Sequence, residues 1–261
     1  MPEAHSNALN RKDWLWIIGI WALVAAGQLW RSLYASPGEP LFLDTDDAMR
    51  MVVVRDFLDG QGWYDLVQHR LNTPFGAEIH WSRLVDLPQA GLLWLARQVT
   101  DLRQAEWVAG MIWPLLLLGV LLWVSTRTTV ELAGRAGLLP GLVLPILSPA
   151  VLSEFSPGRI DHHNVIIVLT MATLLASLVA LRRSGAAWIA GFLAALALSI
   201  ALEAAPVMLA AILAFGLSYV FDPARAGNLL RFGLGLSGGL AGLLMLARPP
   251  ARWLEAACDM I

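Results

Sequence analysis

Three aspartates, Asp44, Asp46 and Asp47, stand within four positions of a chain that is 57% hydrophobic and only 15% charged. Gathered carboxylates are hard oxygen donors, the ligand type that holds Mg²⁺ or Mn²⁺. A second group of ligand-type residues follows more than a hundred positions later, where "SPGRIDHHNVIIV" sets a Pro157-Gly158 turn ahead of Asp161, His162 and His163. Carboxylate oxygens with at most one imidazole suit Mg²⁺ or Mn²⁺, whereas zinc recruits several His or Cys ligands. A divalent-metal site shared by the two clusters is the chemical expectation. Each cluster also has a plain structural explanation. Acidic residues in a first helical turn are stabilised by the positive end of the helix dipole, and Arg50 lies one turn on, ready to pair with Asp46 or Asp47. Asp161 or Asn164 can cap the helix that follows, with the histidines at headgroup height. The single Cys258 has no companion for a disulfide or a thiolate site. A membrane metallohydrolase using Asp161, His162 and His163 finds no HExxH spacing to support it.

The elements that must position these residues are mostly membrane spans. Mean hydropathy is +0.63, and a helical crossing needs about 20 mostly apolar residues. Runs at 14–34, 107–125, 138–154, 164–181, 186–202, 204–221 and 230–247 predict seven spans. Those at 138–154 and 186–202 are short for a crossing, and Pro140, Pro145 and Pro149 bend the former. The first run follows Arg11 and Lys12 and reads as an uncleaved anchor, not a signal peptide. Basic residues recur in alternate loops, at Arg11 and Lys12, Arg127 and Arg135, Arg182 and Arg183, and Arg225 and Arg231. Short cytoplasmic loops carry this excess, so the N-terminus is expected inside. Segments 35–106 and 153–163 then face outward, into the periplasm beside a bacterial inner membrane. Eleven of the 20 acidic residues fall within 35–106, a stretch that also holds Trp63, Tyr64, Phe75 and Trp81. Its aromatic content and helical periodicity predict a folded outer loop. Within it, residues 44–58 predict an amphipathic helix with Met49, Val52, Val53 and Phe57 on one face and Asp44 or Thr45 as N-cap. The expected fold is all-α, a polytopic transmembrane helical bundle in one domain with a partly helical first outer loop. A net charge of −2 and the lack of a basic run exclude a nucleic-acid partner.

An acidic motif at a helix start in the first outer loop, with a second between the third and fourth spans, resembles the GT-C class of membrane glycosyltransferases. The chain is most similar to the catalytic subunit of oligosaccharyltransferase and its bacterial and archaeal single-subunit counterparts. "DTDDAMRMVVVRDFL", "NTPFGAEIHWSRLVDLP" and "SPGRIDHHNVIIV" carry the resemblance. It implies a GT-C-like bundle that transfers a sugar or oligosaccharide from a polyprenyl phosphate or diphosphate donor to a protein, lipid or glycan acceptor, with inversion. It also implies a metal ligand and acceptor contact at Asp46, flanked by Asp44 and Asp47, and further metal ligands at Asp161 and His163. Arg83, Arg55 and Arg159 are candidates for the donor phosphate, because a guanidinium presents two parallel donors to phosphate oxygens. His162 is a further candidate ligand, and His80 and Trp81 could stack on a sugar. The family's later catalytic Glu and its WWD-type motif are not found here, and the resemblance covers only the N-terminal half of such an enzyme. A chain truncated at its C-terminus is the expectation, with Glu203 as a substitute carboxylate.

Two other readings stand beside this one. A transporter or channel subunit would gather cations at outer carboxylates, yet it needs polar groups along its spans, and here ionisable residues are confined to the span ends. The other is an inactive fragment that keeps the glycosyltransferase fold.

Overall fold

A computed structural model describes residues 9–35, 41–42 and 44–254; Glu39 and Cys258 lie outside them. The first helix, α1 (Arg11–Trp30), opens on a reciprocal cap in which Asn10 and Asp13 each accept the other's backbone N–H. The chain then forms α2 (Thr45–Leu58), a two-stranded antiparallel hairpin of β1 (Val67–Gln68) and β2 (Ala77–Glu78), and α3 (Arg83–Arg97). After these come α4 (Leu102–Ala133), α5 (Leu138–Leu147), α6 (Pro149–Ser153), α7 (His163–Ala180), α8 (Ala186–Ile200), α9 (Ala205–Phe221) and α10 (Ala226–Ala247). The result is an all-α bundle. Among the described residues, five stretches are long and apolar enough to cross a membrane: Arg11–Tyr34, Leu102–Leu147, His163–Ala180, Leu202–Phe221 and Pro223–Ala247.

The two runs that looked short in the sequence are the ones that form short helices. Residues 138–154 break at Ser148 into α5 and α6, with Pro149 opening the second piece. At about 1.5 Å per residue, α5 is roughly 15 Å long, about half a hydrocarbon core. It folds back on α4 through Gly134, whose φ of +62° suits glycine, and Thr129 Oγ1 donates to Gly137 O at 2.7 Å. Helix α8 is apolar but has 15 residues. It packs along α10 through small residues: a Cβ on Gly235 would meet Trp188 O at 2.5 Å, and one on Gly239 would meet Ala195 Cβ at 2.7 Å. Close backbone approach of this kind is how helices associate where no water drives them together.

Ion pairs and hydrogen bonds sort the connections into two ends. At one end Arg135 pairs with Asp13, Arg182 with Glu131, and Asn228 Nδ2 donates to Ala180 O. At the other, the α2–α3 region meets the loop before α7, His163 meets Glu203 between α8 and α9, and Arg252 pairs with Glu78. There Trp63 and Tyr64 also donate to the carbonyls of Leu246 and Met245 on α10.

Candidate functional site

The site is built where the first turn of α2 meets the loop that leads into α7. Of the two caps expected for α2, Asp44 and Thr45, Asp44 takes the position and accepts the Asp46 N–H at 2.9 Å. That backbone bond, joined by Arg159 at 3.2 Å, holds its carboxyl below the usual range against the opposing effect of burial. The three clustered aspartates then diverge. Asp46 is exposed, and its carboxylate makes no hydrogen bond or ion pair among the described residues. Asp47 is fully buried: its Oδ1 accepts the N–H of Ile160 at 2.8 Å and of Asp161 at 2.9 Å, and its Oδ2 pairs with Arg159 at 2.7 Å. Burial pushes the Asp47 carboxyl up despite these bonds.

Asp47 is therefore a clamp on the second motif. Gly158 lets the loop reach it, at φ +95°, with its N–H donating to Gly110 O at 2.9 Å and no room for a Cβ beside the Leu41 carbonyl. Asn164 Nδ2 donates to the carbonyls of Arg159 at 2.9 Å and Glu154 at 3.2 Å, and Gln89 Nε2 donates to Ile160 O. Neither Asp161 nor Asn164 caps α7; His162 holds the cap position without a side-chain bond to the helix backbone.

The buried face of α2 is not the one its apolar spacing suggested. Asp47, Arg50, Met51 and Val54 form the inward strip, and Val53 is the member of the expected face that is also buried. Arg50 does not pair with Asp46 or Asp47. Its Nε and one terminal nitrogen donate to Asp161 Oδ1 at 3.1 and 2.8 Å, while the other pairs with Asp86 at 2.9 Å. The guanidinium lies 4.4 Å from the Trp81 ring centroid. Asp86 also takes Arg83 at 3.2 Å, and burial presses its carboxyl up against the pull of both arginines. Burial likewise disfavours ionised Asp161, but the His162 hydrogen bond and the Arg50 charge outweigh it and hold that carboxyl well below the usual range.

Around Asp161 the ligand-type atoms converge. One atom from each of Asp161, His162 and His163 lies within 4.8 Å of the others. His162 Nδ1 is 2.8 Å from Asp161 Oδ1, His163 Nε2 is 3.4 Å from Oδ2, and His163 Nδ1 is 3.1 Å from Glu203 Oε2. Of the expected ligands, Asp161 and His163 are brought together with His162, and Asp46 stands outside this triplet. The three candidate phosphate arginines are all engaged with carboxylates: Arg83 with Asp86, Arg55 with Glu106 at 3.0 Å, and Arg159 with Asp44, Asp47 and Glu154. Trp81 is buried under Arg50 and is not presented to a sugar, and His80 is exposed with its ring edge-on to Trp81 at 6.3 Å. Sequence spacing missed the roles of Arg50, Asp86, Gln89 and Asn164. The Arg83–Asp86 pair, three residues apart on α3, was the only local signal for any of them.

No protein-family model matches the chain, and no curated protein matches it.

Proposed function

We propose that the protein is a metal-assisted membrane glycosyltransferase of the GT-C type, acting on a polyprenyl-(di)phosphate-linked sugar at the periplasmic face of a bacterial inner membrane. One observation carries the reading: the start of α2 and the loop before α7, distant in sequence, are bonded together around Asp161 at one end of an apolar bundle. Oδ1 of Asp161 is consumed by Arg50 and His162, which leaves Oδ2 and the two imidazoles as the donor set. Two imidazoles are one more than the sequence expectation for Mg²⁺ or Mn²⁺. They move the donor set away from Mg²⁺, which prefers an all-oxygen shell, toward an imidazole-accepting first-row cation, with Zn²⁺ the competitor to Mn²⁺. Asp161, His162 and His163 would hold the ion. When bound, it supplies Lewis-acid stabilisation of the charge that develops on the leaving phosphate.

The remaining roles belong to the chain itself. Arg50 and Asp47 hold Asp161 in place, the first through its carboxylate and the second through its backbone N–H. Asp46, exposed and without a partner among the described residues, is the carboxylate open to an acceptor hydroxyl or amide. Apolar helices below the site suit the donor's lipid tail, whose head group fixes the reacting carbon at the membrane surface.

The test uses the protein in liposomes with a radiolabelled polyprenyl phosphate-linked sugar, scoring label released or transferred. Activity is expected with Mn²⁺, is removed by EDTA, and falls about 10²–10³-fold in Asp161→Ala or Asp46→Ala, the usual cost of losing a group that stabilises developing charge. Turnover indifferent to EDTA and to Asp161→Ala overturns the proposal. So does solute flux through the liposomes with no lipid-linked donor present.

A further inference from the structure

Glu203 lies on the short turn Leu202–Ala204 between α8 and α9, far along the chain from both acidic motifs. Its position is set by its neighbours: Ala201 and Ala204 are buried in a cluster with Val85, Ile166, Leu169 and Met208, so the turn is pinned and the carboxylate projects outward. Glu203 itself is 61% exposed, and its carboxylate reaches Nδ1 of His163 at 3.1 Å. The opposite nitrogen of that ring, Nε2, faces Asp161 Oδ2 at 3.4 Å. An imidazole lies between two carboxylates, one open to solvent and one buried and locked by Arg50.

Only one of these carboxylates can receive a proton from a neutral ring. A carboxylate that takes the N–H of an imidazole fixes the tautomer, aims the other nitrogen's lone pair and raises its basicity. We infer that Glu203 is a positioning residue: it accepts the Nδ1–H of His163, so that the Nε2 lone pair is directed at the space beside Asp161 Oδ2. Two bare acceptors then face one another at the separation two ligands of one first-row cation adopt with bonds of about 2.1 Å. This inference rests on the metal-site reading above and assigns Glu203 to orientation, without direct ligation. It also sets the site's completion on a third element, the α8–α9 turn, in addition to α2 and the loop before α7.

The experiment uses the whole protein, ¹⁵N-labelled at histidine, in detergent at pH 8, with His163→Gln identifying the His163 signals. Wild type is expected to show His163 protonated at Nδ1. Glu203→Ala is expected to shift it toward the Nε2–H form and to weaken Mn²⁺ binding, followed by electron paramagnetic resonance, about 10–100-fold. Glu203→Asp restores both in part. Because the carboxylate is exposed, thermal stability should be unchanged, which separates orientation from a structural role. Unchanged tautomer and unchanged Mn²⁺ affinity in Glu203→Ala overturn the inference. If wild type binds no Mn²⁺, the metal reading fails, and the tautomer comparison still decides the role of Glu203.

Discussion

Asp44, Asp46 and Asp47 are chemically identical, and their surroundings give them three different tasks. Asp44 caps a helix, Asp46 faces solvent, and Asp47 is buried as an anchor for the next motif. The cost of losing the last can be graded. In Asp47→Ala the buried N–H groups of Ile160 and Asp161 lose their acceptor, at about 1–3 kcal/mol each, so a loss of about 2–6 kcal/mol is expected. Asp47→Asn keeps an oxygen for both N–H groups and forfeits mainly the Arg159 pair, so it should cost no more than about half as much. Unfolding in mixed detergent micelles measures both; equal effects would show that the backbone bonds are not what Asp47 contributes. At this scale the sequence was half legible. Helix capping is local, and Asp44 could be read as a cap from its position. The partner choice of Arg50 could not be read, because Asp86 and Asp161 reach it only through packing, and buried pairing there outweighs the nearer Asp46 and Asp47.

Among the elements, glycines mark where helices touch and where they do not. A Cβ on Gly191 of α8 would press into α10 at Phe232 O and, at 2.7 Å, Leu236 N, whereas one on Gly238 of α10 would meet nothing within 4 Å. Gly191→Ala is therefore expected to destabilise by about 1–3 kcal/mol through overpacking. Gly238→Ala should be neutral or gain about 0.5–1 kcal/mol from reduced chain entropy. Thermal denaturation of the pair in detergent checks the contrast, and similar shifts for both would argue against a tight α8–α10 seam. Sequence reading found these helices by their apolar length but could not tell the two glycines apart, since each sits in an apolar run and the closeness of a neighbouring helix is set by packing. It placed α2 closely and misjudged its buried face, because a buried ion-pair network breaks the rule that the apolar stripe faces inward.

At the scale of the whole molecule, the contacts described above among the described residues join segments that the basic-loop pattern assigns to the same side. Asp13, Glu131, Ala180 and Asn228 meet at one end, and the aspartate motifs, Glu203 and the end of α10 meet at the other. The contacts group the connections, and the proposed orientation adds which group faces outward. It leads to a labelling pattern on a Cys258→Ser background. Thr73→Cys and Ser153→Cys should react with an impermeant maleimide in intact spheroplasts, and Ser184→Cys and Asp222→Cys only after lysis. A mixed pattern would break the proposed orientation.

Trp63 and Tyr64 donate to carbonyls 183 and 181 residues further along the chain. A ribosome working at about 5–20 residues per second needs on the order of ten to forty seconds to deliver those acceptors. During that interval the hairpin and its neighbours wait without this strap and rest on the α2–α3 contacts alone. Closure of the end that holds the aspartate motifs is thereby timed by the delivery of α10.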